Sequence, residues 1–134
     1  MLLPNGATIA VADGEKLVLF HNTGDDIHPR LTALPHPQVN SDHPGADTGH
    51  RSSAGNPADR QVAADGFSVG VADLLNQGVL SGKISKLVIV AAPRTLGELR
   101  KHYHQKLSAV LIGEIHKDLT AHAVEDIEKA IAAA

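Results

Sequence analysis

The chain has 134 residues, a net charge of −3 and an apolar fraction of 43%, with two Phe, one Tyr, no Trp and no Cys. This size and composition predict one globular domain, residues 1–134, with a small aliphatic core, and exclude a disordered chain or two separate folds. Without cysteine there are no disulfides, thiolate nucleophiles or cysteine-ligated metal sites. No apolar run has the length of a signal peptide or a membrane span, so we expect a cytoplasmic protein.

Two short apolar runs near the start of the chain predict a β-hairpin. Residues 7–12 and 17–20 flank Asp13 and Gly14, a pair that suits the positive backbone angles of a type I′ turn. A third predicted strand, residues 27–34, contains a proline at position 29, which cannot donate a ladder hydrogen bond. We therefore expect this strand at the outer edge of a sheet.

A long polar segment follows the third predicted strand. Residues 35–59 contain four prolines and three glycines among Ser, Asn, Asp and His, with almost no large apolar side chains. A loop of about 25 residues without secondary structure is uncommon in a small domain, and such loops are usually functional or disordered. The length of this predicted loop is therefore the first indication of function.

The second half of the chain alternates predicted helices with predicted strands. Helical spacing of apolar residues predicts a helix over 60–80, and a continuous aliphatic run over 86–92 is typical of a central strand. Thr95 and Glu98 predict a capping box at the start of a second helix. The run 109–115 predicts the last strand.

The last two predicted helices each have an apolar face. Thr120 is the predicted N-cap of the final helix, with Leu119 and Val124 as a hydrophobic staple. The expected buried residues are Leu96, Leu99, Tyr103 and Leu107 in the second helix and Val124, Ile127 and Ile131 in the final one.

The order of these elements predicts an α/β fold. Alternating directions in the first three strands, followed by two right-handed crossovers, give one mixed sheet of five strands with helices on its faces. The carboxyl ends of four strands then meet at one edge, which brings together Asp13, the start of the 35–59 loop, Arg94 and residues 116–118. We call this edge the rim. We expect function there, because ligands of open α/β sheets bind outside the carboxyl ends of the strands.

Three segments of the chain carry a family resemblance. They are residues 11–14 (VADG), 90–100 (VAAPRTLGELR) and 113–120 (GEIHKDLT). With them, nearly the whole chain resembles the bacterial host attachment proteins, also described as proteins required for attachment to host cells. The resemblance implies a fold similar to the middle domain of archaeal and eukaryotic class-1 peptide release factors, with a ribonuclease H-like sheet in the order 3-2-1-4-5.

The resemblance also concerns the long loop. In release factors the loop before the first long helix carries Gly-Gly-Gln, which enters the ribosomal peptidyl transferase centre and helps water attack the peptidyl-tRNA ester. The equivalent residues 45–57 (GADTGHRSSAGNP) lack this tripeptide. The attachment family commonly has Arg-His and Glu-Pro here, whereas in this chain Ser52 follows Arg51 and Asn56 precedes Pro57. Peptide release in that manner is therefore not expected.

Metal-dependent and serine-dependent catalysis are weakly indicated. Two-metal nuclease chemistry needs several converging carboxylates, and a hairpin turn explains Asp13 better. Histidines recur every seven residues in the loop, but spacing has no fixed geometric meaning in an irregular segment. Serine, histidine and aspartate residues of the loop could form a serine triad. Any segment of this composition contains these residue types, however, so their presence is weak evidence for one. We expect no metal and no cofactor. The residues weighed for these sites are Asp13, Asp59, Glu114 and Asp118 for a nuclease, His36, His43 and His50 for a metal, and Asp47, His50, Ser52 and Ser53 for a triad.

Basic residues concentrate in one part of the chain. Residues 80–117 hold seven basic and two acidic residues, whereas the rest of the chain is acidic. Such a run forms either a basic face that meets phosphates or a merely solvated face. The candidate RNA contacts are Arg100, Lys101 and Lys106. Aromatic stacking residues are lacking, which disfavours sequence-specific binding of single strands.

Arg94 is a specific candidate for anion binding. It lies at a predicted strand end beside a helix N-terminus, and its guanidinium can bind a phosphate or carboxylate in two places. The alternative is an ion pair with Asp13 or Asp118. The full set of ligand or anion candidates is Arg94, Lys117, Asp118, His50, Arg51 and Asp13.

The sequence predicts a non-enzymatic, release-factor-like module that acts through the 35–59 loop and the rim. Its expected partner is tRNA, the ribosome or another protein, and self-association is left open. The alternative is an enzyme that hydrolyses an ester or phosphoester, such as peptidyl-tRNA, with the loop as a lid.

Overall fold

Three strands precede a regular alternation of helices and strands. In a computed structural model, which describes residues 1–35, 37–39 and 57–134 and only the backbone of 57–60, the elements follow in this order. They are β1 (Thr8–Ala12), β2 (Leu17–Asn22), β3 (Leu31–Ala33), α1 (Pro57–Leu80), β4 (Leu87–Ala91), α2 (Pro93–Arg100), α3 (Gln105–Val110), β5 (Leu111–Ile115) and α4 (Val124–Ala133).

All five strands belong to one mixed sheet in the order β3-β2-β1-β4-β5. The β1–β2 and β2–β3 pairs are antiparallel, whereas β1–β4 and β4–β5 are parallel. The predicted α/β class, the strand order and the outer position of β3 are therefore confirmed. The description of the sheet as ribonuclease H-like stays a prediction from the resemblance.

The core lies on both faces of the sheet. All five residues of β1 and all five of β4 are buried, as expected for central strands covered on both sides. Because alternate side chains point to opposite faces, Ala10 and Ile89 pack with α1, α2 and α3, whereas Ile9 and Val88 pack with α4. The sheet is thus the middle of three layers.

The β1–β2 turn differs from the prediction. Among the described residues only Gly6 and Gly82 have positive φ angles, so the type I′ turn, which needs positive angles at its centre, is wrong. Four residues, 13–16, join the paired Ala12 and Leu17, and the backbone N–H of Asp13 donates to the carbonyl of Lys16. Gly14 is needed for a different reason: a Cβ there would lie 2.9 Å from that of Ala64 in α1.

The third strand is shorter than predicted, and Pro29 lies before it. Its last residue, Ala33, pairs with Phe20, which pairs in turn with Ile9. Because Ile9 precedes the end of β1 by three residues, β3 stops about 10 Å short of the rim. The prediction that the 35–59 segment starts at the rim is therefore wrong, although the direction of β3 is correct.

The buried amide of Asn22 explains where β3 begins. Its Oδ1 accepts hydrogen bonds from the backbone N–H of Gly24 and of Arg30, both at 2.9 Å, and its Nδ2 donates to the carbonyl of Leu3 at 2.8 Å. Residues 23–30 are therefore held as a loop around this side chain, which leaves only residues 31–33 to pair with β2.

The second predicted helix is two helices. The structure ends α2 at Arg100 and starts α3 at Gln105, so Leu107 belongs to α3. Asn76 of α1 holds the intervening turn, since it donates to the carbonyl of His102 and accepts from the N–H of His104, both at 2.9 Å. The predicted burial is confirmed for the three leucines, whereas Tyr103, in the turn, is partly buried.

Two predicted helix caps are also wrong. The N-cap of α2 is Ala92, without a capping side chain, so Thr95 and Glu98 form no capping box. The N-cap of α4 is Ala123 rather than Thr120, whose hydroxyl bonds elsewhere. The burial of Ile127 and Ile131 is confirmed, with Val124 partly buried.

The long helix α1 begins three residues before its predicted start, at Pro57. It packs against α2 and α3 on one face of the sheet. Within the described parts of the chain, no helix is both long enough and apolar enough to cross a membrane.

Candidate functional site at the rim

The register of the parallel strands assembles the rim. Ala12 pairs with Ala91, and Val90 pairs with Ile115, so β1, β4 and β5 end side by side. The close approach of Gly14 to Ala64 places the N-terminal part of α1 at the same edge. The chain therefore brings the turn after β1, the start of α2 and the segment after β5 to one edge, as predicted.

Thr120 joins two of the predicted rim residues, Asp13 and Asp118. Its Oγ1 lies 2.8 Å from Asp13 Oδ2 and 2.9 Å from Asp118 Oδ1. A hydroxyl has a single proton, so it donates to one carboxylate at a time. The other oxygen of Asp13 accepts the backbone N–H groups of Glu15 and Lys16 at 2.7 and 2.6 Å. Asp13 is thus fully engaged in holding the turn to the segment after β5.

The hydrogen bonds of Asp13 also change its acidity. Partial burial raises the pKa of Asp13, but the hydrogen bonds from the Glu15 N–H, the Thr120 hydroxyl and the Lys16 N–H outweigh burial. The net pKa of the Asp13 carboxyl lies below its ordinary value, so the group is ionised at neutral pH. This favours a structural anchor over a general acid.

Arg94 and Lys117 present cations at the rim. Arg94 is exposed in the first turn of α2, directly after Pro93, and Lys117 is exposed two residues after β5. In the part of the chain that the structure describes, neither forms an ion pair. The alternative considered for Arg94, a pair with Asp13 or Asp118, does not form. No described carboxylate therefore neutralises either charge at salt-bridge distance.

A second polar cluster lies beside the rim, and the sequence did not indicate it. Arg100 Nη2 lies 2.6 Å from Glu114 Oε1, and the Tyr103 hydroxyl donates to Glu114 Oε2 at 3.0 Å. The same Arg100 nitrogen is 3.1 Å from His116 Nε2. The sequence signal for this cluster was Glu114, an acidic residue inside an otherwise apolar strand. Its partners Arg100 and Tyr103 could not be inferred from it, because both lie more than ten residues away in the chain.

The pKa values in this cluster are coupled through Glu114. Partial burial raises the pKa of Glu114, but the hydrogen bonds from Arg100 and Tyr103 outweigh it, and the net pKa is lowered. The pKa of Tyr103 is strongly raised, first by burial and then by the adjacent Glu114 carboxylate. The cluster thus holds an ionised carboxylate and a protonated phenol, which suits an anchor between α2 and β5.

The predicted RNA contacts have different surroundings. Arg100 is engaged with Glu114, and Lys101 Nζ lies 2.7 Å from Glu98 Oε1. Lys106 is exposed at the start of α3. The basic segment does not form one face, because Lys86 lies at the opposite edge of the sheet from Arg94, where its carbonyl accepts the N–H of Thr8.

Several predicted residues lie outside the described part of the chain. They are His36, His43, Asp47, His50, Arg51, Ser52 and Ser53, and the side chain of Asp59 is also undescribed. Among the residues whose side chains are described, no three His, Cys, Asp or Glu side chains converge as metal ligands would.

A comparison with protein-family models identifies the relatives of this chain. The model for bacterial archaeo-eukaryotic release factor family 12 matches residues 6–131, which is nearly the whole chain. The chain belongs to this family. No curated protein matches it. Membership of family 12 agrees with the release-factor-like part of the resemblance, whereas the link to host attachment stays a prediction.

Proposed function

We propose that this member of family 12 is a non-enzymatic, release-factor-like module that contacts ribosomal RNA or tRNA through the rim and the 35–59 segment. The observation that carries the proposal is the position of Arg94 and Lys117 at the edge where β4 and β5 end. Neither cation pairs with a described carboxylate, so within the described residues no ion pair has to break when Arg94 and Lys117 approach phosphate groups.

The proposed contact is small. Arg100 and Lys101 already have acidic partners, and Lys86 lies at the opposite edge of the sheet. A contact through Arg94 and Lys117 alone neutralises about two phosphates, so the logarithm of the binding constant should fall by about 1.5 per decade of salt. A broad face of seven cations would give a slope of about −5 to −6.

The sequence of the loop supports a role without catalysis. The chain has no Gly-Gly-Gln at any position, and this tripeptide is what release factors bring to the peptidyl-tRNA ester. Asp13, which was weighed from the sequence as a possible nuclease carboxylate, accepts three hydrogen bonds from other parts of the protein. Ester hydrolysis is therefore the alternative that the experiment must exclude. Host attachment would follow indirectly if the module acts on translation.

The experiment is cosedimentation with ribosomes, together with binding to labelled tRNA and ribosomal RNA over a salt series starting at about 50 mM. The test variant is Arg94→Ala/Lys117→Ala. The matched control is Lys86→Ala/Lys129→Ala, which removes the same charge from exposed positions away from the rim. We expect the test variant to bind about tenfold more weakly and the control to bind as the wild type does.

Two results would overturn the proposal. Failure of the wild-type protein to bind at the lowest salt removes the RNA contact. Equal loss in the test and control variants shows that overall charge, rather than the rim, is responsible. A parallel assay of peptidyl-tRNA hydrolysis separates the alternative, because hydrolysis that Arg94→Ala abolishes would make the rim an enzyme site.

A further inference from the structure

A cavity of about 750 Å³ lies at the opposite edge of the sheet from the rim. The start of β1, the middle and end of β2, the last turns of α1 and the α1–β4 connection form its walls, and residues directly after β3 close one side. Its volume falls within the range of about 300–1,000 Å³ that is usual for small-molecule sites. Of the rim residues that the structure describes, none lines this cavity.

The walls of this cavity are largely apolar. The leucines at positions 19, 34 and 74, together with Pro37 and Ile84, supply the apolar surface. Ile84 fits because α1 carries a glycine at position 78, where a Cβ would come within 2.6 Å of the isoleucine Cδ1. An elongated apolar group of a ligand would therefore find matching surface here.

One buried polar group in the cavity has no hydrogen-bond partner among the described residues. Thr8 is 2% exposed and lines the cavity, and its hydroxyl forms no hydrogen bond within the described residues. Its backbone N–H is satisfied by the carbonyl of Lys86 at 2.8 Å. Buried hydroxyls are normally hydrogen-bonded, and an unpaired one is costly. A ligand atom that accepts or donates at this point would satisfy it.

The charge of the lining favours an anion. Among the described residues that line the cavity, Lys83 and His21 are ionisable, and none of these described residues is acidic. Lys83 is exposed at the mouth and forms no ion pair with any described residue. A carboxylate within reach of Lys83 would therefore gain a cation, and Gln77, which also lines the cavity, offers further hydrogen bonds.

We propose that this cavity binds an amphiphilic carboxylate of the fatty-acid type. The alkyl chain packs against the apolar walls, one carboxylate oxygen accepts a hydrogen bond from the Thr8 hydroxyl, and the other carboxylate oxygen lies near Lys83. The site is separate from Arg94 and Lys117, so its test is independent of the RNA contact proposed for these two cations. Leu34 and two residues of the 35–59 segment, Pro37 and Gln38, would touch the ligand directly.

The test is titration of the intact chain with decanoate, followed by calorimetry and by amide chemical shifts in nuclear magnetic resonance. We expect binding with a dissociation constant below about 1 mM, with shifts at Thr8, Leu74 and Gln77 and none at Asp13 or Arg94. Decyltrimethylammonium, which has the same chain and the opposite charge, should bind at least about tenfold more weakly. Inorganic phosphate, which lacks the chain, should not bind.

Matched variants locate the two polar contacts. Lys83→Gln should weaken decanoate binding about three- to tenfold, whereas Lys86→Gln, three residues away and outside the cavity, should leave it unchanged. Thr8→Val, which keeps the shape and removes the hydroxyl, should weaken binding to a similar degree. The proposal is overturned if the wild type shows no binding at about 1 mM, if the ammonium analogue binds equally, or if shifts occur at the rim.

Discussion

The Thr120 hydroxyl lies 2.8 Å from the carboxylate of Asp13, although the two residues are 107 positions apart in the chain. This contact joins the turn after β1 to the segment after β5, across the strand that separates them in the sheet. It therefore fixes the two outer parts of the rim relative to each other, with the start of α2 between them.

Replacing Thr120 with valine should destabilise the protein by about 1 kcal/mol. Valine keeps the shape but removes the donor, which leaves Asp13 Oδ2 and Asp118 Oδ1 facing each other without a proton between them. Urea unfolding measures the effect. Thr95→Val is the control, because the Thr95 side chain makes no capping bond in α2 and should change stability by less than about 0.5 kcal/mol.

The titration of Tyr103 provides a direct optical test of the cluster at Glu114. The chain has one tyrosine and no tryptophan, so the ultraviolet absorbance of tyrosinate reports on Tyr103 alone. Burial and the adjacent carboxylate raise its pKa, so the folded protein should show little tyrosinate at pH of about 10, where a free tyrosine is half ionised. Glu114→Gln should lower the midpoint.

The raised pKa of Tyr103 also makes the stability of the protein depend on pH. A group that holds its proton more tightly when folded stabilises the protein fully below its unfolded pKa, and this contribution declines as pH rises above about 10. The thermal midpoint should therefore fall at alkaline pH, and Tyr103→Phe should reduce that part of the decline. An ordinary titration of Tyr103 in the folded chain would contradict this account.

Asn22 should tolerate substitution poorly. Replacing its amide with the carboxylate of Asn22→Asp would place a negative oxygen against the carbonyls of Leu3, Pro4 and Asp25, which now accept from Nδ2. We expect a loss of about 3 kcal/mol or more at neutral pH, because a buried charge would be left without a partner. Chemical denaturation measures it. The exposed Asn5→Asp, which loses one hydrogen bond to Gly24, should cost about 1 kcal/mol or less.

Two glycines should respond to alanine with opposite signs. A Cβ on Gly97 in α2 meets nothing within 4 Å, so Gly97→Ala should stabilise the protein by about 0.5–1 kcal/mol through helix propensity. A Cβ on Gly14 would lie 2.9 Å from that of Ala64, so Gly14→Ala should destabilise it by about 1–3 kcal/mol. Thermal unfolding compares the pair, and two changes of the same sign would refute the explanation for Gly14.

Local patterns predicted the individual strands and their directions, and the family resemblance implied the strand order that the sheet has. The unbroken aliphatic run over 86–92 indicated a central strand, and β4 is buried along its whole length. Pro29 correctly indicated an edge, although the strand itself starts two residues later. Chain direction alone then placed Asp13 and Arg94 at one edge of the sheet.

The details that the sequence missed depend on contacts between distant residues. Nothing near Tyr103 in the chain shows that Asn76 holds the turn between α2 and α3, which divides the predicted helix in two. Likewise, the sequence predicted Arg100 as an RNA contact, but the guanidinium of this residue forms an ion pair with Glu114 in the folded protein. Local rules describe backbone preference, but these side-chain partners are set only when the chain has folded.

The path of the chain after β3 determines how far the next connection must reach. Pro37 and Gln38 line the cavity together with Leu74 and Gln77, so this part of the chain lies near the C-terminal half of α1. Pro57, where α1 begins, precedes Leu74 by about 17 positions, which corresponds to about 26 Å of helix. Residues 40–56 have a fully extended contour length of about 60 Å, roughly twice that distance. Shortening this stretch by a few residues should therefore leave the chain long enough to reach the start of α1.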